Sequence, residues 1–198
     1  MLIWIIVIWV LLTLFNYFYM PYFLLAFLWI GLIISLLVVL AIQIVKLIKE
    51  RRNVQSLLVQ KVVVFTILFL LTYNLSFTNS IIEKADWKLF YNKRIEVVKM
   101  VKSGQLKPNV SWNNVVCELP YEFPVISNGG NDIVIGKNVA NGSTTVKFWI
   151  FRNFFDSPSS YFIYTEDSAR IKYIESKIEQ HPNLNWKLKD KWYRTYGE

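Results

Sequence analysis

The chain has 198 residues, of which 54% are hydrophobic, 17% aromatic and 18% charged, with a formal net charge of +8. Average soluble domains carry about 25% charged residues, so this composition argues against a wholly soluble protein. Residues 1–45 contain no Asp, Glu, Lys or Arg, whereas residues 82–198 are as mixed as a soluble domain. The sequence therefore predicts an apolar region followed by one folded domain of ordinary size.

Three membrane-spanning helices are predicted in residues 1–80. A span needs about 20 apolar residues, so the first apolar stretch is long enough for two. They divide at "NYFYMPY", where Pro21 interrupts a helix and the aromatic residues suit the headgroup layer. With no basic residues at its start and no cleavage site, the first helix is expected to be retained rather than removed as a signal peptide. The predicted spans are about 2–18, 22–45 and 62–80.

The loop between the second and third spans, residues 46–61, predicts the orientation of the chain. It carries one acid, Glu50, and five basic residues, namely Lys46, Lys49, Arg51, Arg52 and Lys61. Short loops rich in Lys and Arg stay in the cytoplasm, whereas long translocated domains largely escape this rule. We therefore expect a multi-pass cell-membrane protein with a cytoplasmic amino terminus and an extracytoplasmic domain at 81–198.

The predicted domain begins with an amphipathic helix. Ser80 and Glu83 have the spacing of a capping box, and apolar residues then recur every three or four positions until Gly104. Whether this helix continues the third span or turns at Ser80 is open at the sequence level.

Alternating patterns predict the rest of the domain. Strands are expected at 113–120, 132–137, 143–152 and 159–165, where apolar and β-branched residues alternate between turn signals. A helix should follow from about Thr165, with acidic residues in its first turn, and a last strand should cover 185–196. The predicted fold class is thus three transmembrane helices followed by a small α+β domain with an antiparallel sheet.

Motifs for catalysis or cofactor binding are absent from the sequence. No phosphate-binding loop, dinucleotide glycine pattern, serine elbow or HExxH occurs, and there is one His and one Cys. A protein zinc site needs three or four ligands, mostly His or Cys. We therefore expect no catalytic, cofactor-binding or metal-ligating residues, no cofactor and no nucleic-acid partner. The absence of charge in the spans also argues against an ion-coupled carrier that works alone.

Four residues are candidates for contact with a partner or an anionic surface. Asp156 lies in the turn-rich segment "FFDSPSSY", where it either meets a ligand or simply starts a turn. Lysines alternate along the last predicted strand, where they either touch anionic lipid headgroups and polymers or protect an edge strand from aggregation. These lysines are Lys187, Lys189 and Lys191.

A well-patterned domain without catalytic motifs favours a non-enzymatic interaction protein. The expected partners are membrane lipid and a protein or surface polymer, with a homo-oligomer in the membrane as a further option. Without a second Cys the chain has no internal disulfide, which fits a bacterial cell surface. One alternative is an enzyme that acts on lipid or cell-wall material and uses carboxylates or a Ser–Lys pair. The second alternative is an oligomeric channel or carrier subunit.

Overall fold

A computed structural model describes residues 2–19, 23–152 and 158–197, without the side chains of residues 23–26. The helices in these ranges are α1 (Leu2–Phe18), α2 (Phe23–Lys49), α3 (Ser56–Tyr73), α4 (Leu75–Lys102) and α5 (Ser168–Gln180). The strands are β1 (Val116–Glu118), β2 (Asp132–Lys137), β3 (Thr144–Phe151), β4 (Ser160–Thr165), β5 (Trp186–Lys189) and β6 (Trp192–Tyr196). The chain divides into two compact units, the first with residues 1–17 and 21–84 and the second with residues 18–20 and 85–198.

The first unit is held together by apolar side chains of α1, α2 and α3. Trp9, Leu36, Phe65 and Leu68 form its buried core. The indole N–H of Trp9 donates a hydrogen bond of 2.7 Å to the hydroxyl of Thr72, which itself donates to the carbonyl of Leu68. Hydrogen bonds of this kind stabilise contacts between apolar helices, so the indole bond fastens α1 to α3.

Two helices in the described residues are long and apolar enough to cross a membrane. They cover Phe27–Lys49, with a mean hydropathy of 2.8, and Ser56–Tyr73, with 1.9. Of the most apolar 18 residues, only 6% are buried in the first helix and 22% in the second, whereas a core helix of a soluble protein would be mostly buried. These helices suggest membrane association. Helix α1 is equally apolar, but its 17 residues make it shorter than either.

Helix α1 has the bounds of the first predicted span, but α2 and α3 differ from the second and third. Helix α2 extends to Lys49 and α3 begins at Ser56, so the loop between them is shorter than the predicted 46–61. Its basic composition does not stop the helices, because Lys and Arg are good helix formers. Three of the five residues chosen as topology determinants therefore lie in helices, namely Lys46, Lys49 and Lys61.

A one-residue break at Asn74 separates α3 from α4. The backbone N–H of Asn74 donates to the carbonyl of Leu70 at 2.9 Å, and its side-chain oxygen accepts from the N–H of Phe77 at 3.2 Å. Asn74 therefore ends one helix and caps the next. The hydroxyl of Thr78 donates to the carbonyl of Leu71 at 2.7 Å, which satisfies an acceptor that the break would leave exposed.

This break corrects two predictions about the third span. The apolar helix ends at Tyr73 rather than near Ser80, and the capping box at Ser80 and Glu83 is wrong because both residues lie inside α4. Leu75 and Phe77 continue the apolar pattern past Asn74, so hydropathy does not mark where the helix stops. The question of whether the amphipathic helix turns at Ser80 is also answered, because α4 runs through Ser80 and the break comes six residues earlier.

The second unit contains a six-stranded sheet in the order β1-β2-β3-β4-β6-β5, with every neighbouring pair antiparallel. This confirms the predicted antiparallel sheet. The last predicted strand, 185–196, is instead a hairpin of β5 and β6. The chain reverses after Asp190 because Lys191 adopts the left-handed region at φ +60°, which its sequence neighbours do not signal.

Each face of the sheet packs against one helix. On one face Ile174 of α5 packs into a core with Trp149, Ile163 and Tyr193. On the other face the ring of Trp87 from α4 lies 5.1 Å from Phe162 and 5.2 Å from Trp192, between ring centroids. The sheet is thus enclosed between α5 and the second half of α4, which explains why consecutive residues are buried along β4 and β6.

A buried ion pair lies within α4, and its arginine also binds the loop before β2. The side chains of Arg94 and Asp86 are 0% and 1% exposed, and their nearest charged atoms are 2.8 Å apart. Arg94 also donates from Nε to the carbonyl of Ile126 at 2.9 Å, and its guanidinium lies 4.5 Å from the ring centroid of Phe162. Such a pair is costly to break, because the remaining charge would stay buried without its oppositely charged partner.

The loop between β1 and β2 is organised by the side chain of Asn131. Its amide nitrogen donates to the carbonyls of Tyr121, Glu122 and Pro124 at 2.9–3.1 Å. Its amide oxygen accepts from the backbone N–H groups of residues 126 and 127. Asn131 is 1% exposed and has φ +59°, a conformation that Asn tolerates better than most residues. One side chain therefore fixes the path of the loop.

Candidate functional site

The second unit has an open groove of about 380 Å³ between α4 and the β5–β6 hairpin. We call it the basic groove, because its lining includes three lysines and a single acid. Its described lining residues are Tyr91, Ile95, Val98, Lys99, Lys102, Tyr164, Lys189, Asp190 and Trp192.

Helix α4 supplies one wall of the basic groove through residues at helical spacing. Tyr91, Ile95, Val98 and Lys102 follow one another at intervals of four, three and four, and so lie along one face. The apolar members of this row form the base of the wall, and Lys99 and Lys102 are exposed beside them. The groove therefore combines an apolar base with a charged rim.

Aromatic rings form the opposite wall. Trp192 lies at the centre, with its ring centroid 5.4 Å from that of Tyr164 and 6.0 Å from that of Tyr91. The ammonium group of Lys189 lies 4.5 Å from the ring centroid of Tyr91, within the range of a cation–π contact. The rings are held in place by packing, so the groove has a preformed shape.

A carboxylate beside the groove is committed to two lysines. Glu166 accepts a hydrogen bond from the ammonium group of Lys191 at 2.9 Å. The ammonium group of Lys102 lies 3.0 Å from the same carboxylate. Hydrogen bonds from Lys191 and then from Tyr164 lower the pKa of Glu166 to about 2. Burial and the bond to Glu166 raise the pKa of Tyr164. Glu166 is therefore anionic and Tyr164 protonated at neutral pH, and neither is poised for proton transfer.

Two lysines of the groove have no such partner. Among the described residues, no carboxylate forms an ion pair with Lys99 or Lys189. Both side chains are exposed. Because Asp190 is the single acid in the lining, the local potential of the groove is positive.

The three candidate lysines of the last predicted strand have three different environments. Lys187 approaches the ring of Tyr193, at 5.9 Å from its centroid, on the face that α5 covers. Lys189 lines the basic groove on the other face, because the register shifts between Lys187 and Lys189. Lys191 lies in the hairpin turn and pairs with Glu166. A bulge reverses the alternation that the sequence suggests, so the lysines do not form one row.

The other acidic candidates do not come together with a nucleophile. Asp156 lies outside the described residues. Asp167 is the N-cap of α5 and accepts from the backbone N–H of residue 169 at 3.2 Å. The described lining of the basic groove contains no serine. The described lining of the groove therefore contains neither a group of carboxylates nor the Ser–Lys pair that an enzyme without histidine would use.

His181 and Cys117, which have reactive side chains, lie at a helix end and in the core. His181 is the C-cap of α5 and donates its backbone N–H to the carbonyl of Lys177 at 2.9 Å. Cys117 on β1 is fully buried, and burial raises the pKa of its thiol, with smaller contributions from Asp132 and Glu118. In the part of the chain that the structure describes, no group of three His, Cys, Asp or Glu is placed to bind a metal ion.

Sequence reasoning did not identify the residues that surround Lys189 in the groove. Tyr91 and Val98 carry a signal, since they belong to the periodic stripe of α4. Lys99 and Lys102 look like ordinary solvated residues of an amphipathic helix. Their proximity to Trp192 depends on the pairing of α4 with the sheet, which no local pattern encodes.

Comparisons with known proteins do not assign this site. No family model, no curated protein and no solved structure matches the chain.

Proposed function

We propose that the protein is a membrane-anchored, non-enzymatic interaction protein whose α+β domain binds an anionic partner in the basic groove. The partner is an acidic protein segment or an acidic surface polymer. The observation that carries the proposal is the open, preformed groove beside an aromatic wall, in which Lys99 and Lys189 pair with no carboxylate of the described residues.

The chemistry of the groove indicates what it would accept. Two unpaired ammonium groups attract anionic groups, and the attraction weakens as salt rises above the physiological range. The half-buried rings of Tyr91 and Tyr164 offer apolar surface to the body of the ligand, and the buried ring of Trp192 packs against both. Aromatic side chains beside cations are typical of the centres of binding surfaces. The groove therefore suits an acid attached to a flat or apolar group.

Reversing both unpaired charges should abolish most binding to an acidic polymer. We expect Lys99→Glu combined with Lys189→Glu to weaken the affinity for fluorescent poly-glutamate at least about tenfold, which corresponds to about 1.4 kcal/mol. The measurement is fluorescence anisotropy on the full chain in neutral detergent. Exposed substitutions of this kind change stability by only about 0.5 kcal/mol, so the fold should persist.

The matched control is the Lys187→Glu, Lys172→Glu double variant. It changes the net charge equally, but Lys187 contacts the ring of Tyr193 on the face that α5 covers and Lys172 belongs to α5 itself. Binding should change less than about twofold, apart from the general effect of net charge. If the two double variants weaken binding equally, the groove is not the binding site.

The enzymatic alternative finds no support in the basic groove. Glu166 is engaged by Lys191 and Lys102, Asp167 caps a helix, and no described lining residue is a serine. Nothing in the described helices favours the channel alternative over simple anchoring. Co-purification from native membranes would identify the partner, and recovery of the protein alone after gentle crosslinking would count against an interaction role.

The proposed location is the cell membrane, with the amino terminus in the cytoplasm and the α+β domain outside. This orientation follows from the basic residues around Arg51 and Arg52, by the rule for short loops.

A membrane-impermeant thiol reagent tests the orientation in intact cells. In a Cys117→Ala background, Val139→Cys should be labelled, since Val139 is fully exposed in the β2–β3 turn. Asn53→Cys in the loop between α2 and α3 should be labelled only after permeabilisation. Labelling of Asn53→Cys alone in intact cells would place the domain in the cytoplasm and exclude a surface polymer as partner.

A further inference from the structure

The loop of residues 121–125 presents an apolar ring to the outside of the second unit. Phe123 is 81% exposed, although the backbone around it is fixed by three hydrogen bonds from Asn131. A fixed loop cannot turn the ring inward, so its apolar surface must be covered by something else or remain in water. Full burial of such a side chain is worth about 1.5–3 kcal/mol.

The neighbours of Phe123 are aromatic residues from the end of α1. Phe18 and Tyr19 belong to the second unit, and together with Phe90, Phe123 and Val125 they line a small pocket of about 80 Å³. The rings of Phe18 and Phe90 meet edge to face at 6.3 Å. Phe18 is the last residue of a helix whose 17 residues are uncharged and predominantly apolar.

Residues of α4 near Phe90 add an exposed apolar side chain and a basic one. Leu89 is 75% exposed, and Lys93, one turn further along α4, has its ammonium group 5.4 Å from the ring centroid of Tyr121 in the loop. Aromatic residues with lysines around them are typical of segments that lie at a membrane–water interface. A protein partner would also bury Phe123, but it would not explain why the ring lies beside the end of an apolar helix.

We propose that the 121–125 loop and Leu89 lie in the headgroup layer of the membrane, with the ring of Phe123 at the boundary of the acyl chains. The partner of this surface is a lipid bilayer. The inference rests on the membrane anchoring in the proposed function, but it is independent of the basic groove and of the orientation of the chain.

Depth-dependent fluorescence quenching on the full chain tests the proposal. An environment-sensitive fluorophore is attached to Phe123→Cys in a Cys117→Ala background, and the protein is reconstituted into vesicles of phosphatidylcholine and phosphatidylglycerol. We expect blue-shifted emission and at least about twofold quenching by lipids with a spin label near the headgroup. The same fluorophore at Val139→Cys should show neither effect, because Val139 lies in the turn at the opposite end of β2.

Flotation of the vesicles separates the two ways in which the experiment can fail. If the protein floats with the vesicles but the fluorophore at 123 is quenched no more than that at 139, the loop does not lie in the membrane. If the protein does not float, the membrane anchoring fails as well. Binding of poly-glutamate is measured on the same samples and remains a separate test of the basic groove. Should the Cys117→Ala background not fold, native Cys117 can be kept, since it is fully buried.

Discussion

Arg94→Met should lower the free energy of unfolding by about 3–5 kcal/mol, because it leaves the carboxylate of Asp86 buried without its charge partner. Arg94 also donates hydrogen bonds to the carbonyls of Ile126 and Asp86, and both bonds are lost. The measurement is denaturant unfolding of the full chain in detergent, followed by near-ultraviolet circular dichroism of the aromatic core around Phe162 and Trp192.

Removal of both charges is the matched control. Asp86→Leu combined with Arg94→Met should recover a large part of the loss, because apolar replacements of a buried pair are often neutral or stabilising. Arg94→Lys should lie between the two, since it keeps the charge but not the planar group that makes several bonds at once. A single variant within about 1 kcal/mol of the wild type would show that the pair is solvated in the native state.

Asn131→Ala should lower the free energy of unfolding by a similar amount, about 3–5 kcal/mol. The change removes five hydrogen bonds from the loop before β2. Buried groups that lose their partners cost about 1–3 kcal/mol each, although the loop can relax and recover part of the loss. The positive φ of +59° adds strain for a residue with a Cβ and no local hydrogen bond. Denaturant unfolding measures the effect.

Asn131→Gly separates the two contributions. Glycine keeps the left-handed conformation without strain but makes none of the side-chain bonds, so it should be destabilised less than the alanine variant by about 1 kcal/mol. Equal stability of the two variants would mean that the backbone is not strained at this position. Both variants should also release the 121–125 loop. The fluorophore at position 123 should then be quenched by spin-labelled lipid no more than the fluorophore at position 139.

The sequence predicts the elements of this fold better than their ends. Apolar length identifies α1, α2 and α3, and alternation identifies β2, β3 and β4 close to their observed bounds. The break at Asn74 and the reversal at Lys191 escape prediction because each depends on the conformation of one residue. Neither residue interrupts the surrounding pattern of apolar and polar positions. Hydropathy and periodicity are averages over several residues, so they do not detect a break or a reversal that one residue causes.

The candidate site could be predicted only in part, because it is built from residues distant in the sequence. Lys187, Lys189 and Lys191 are equivalent in the alternating pattern, but the bulge in β5 and the turn after it give each a different neighbour. Lys99 becomes part of the same groove through the packing of α4 on the sheet. Long-range pairing of this kind leaves no local signal in one sequence.

The edges of the sheet determine how the α+β domain can meet other molecules. The outermost strands, β1 and β5, contain only three and four residues, and β5 is further interrupted by its bulge and flanked by lysines. Short, irregular and charged edges offer few free backbone groups for an incoming strand. Strand addition, by which many domains capture extended peptides or copies of themselves, is therefore blocked at both sides. The recognition proposed above is then left to side chains, and many copies of this domain can lie close together without polymerising.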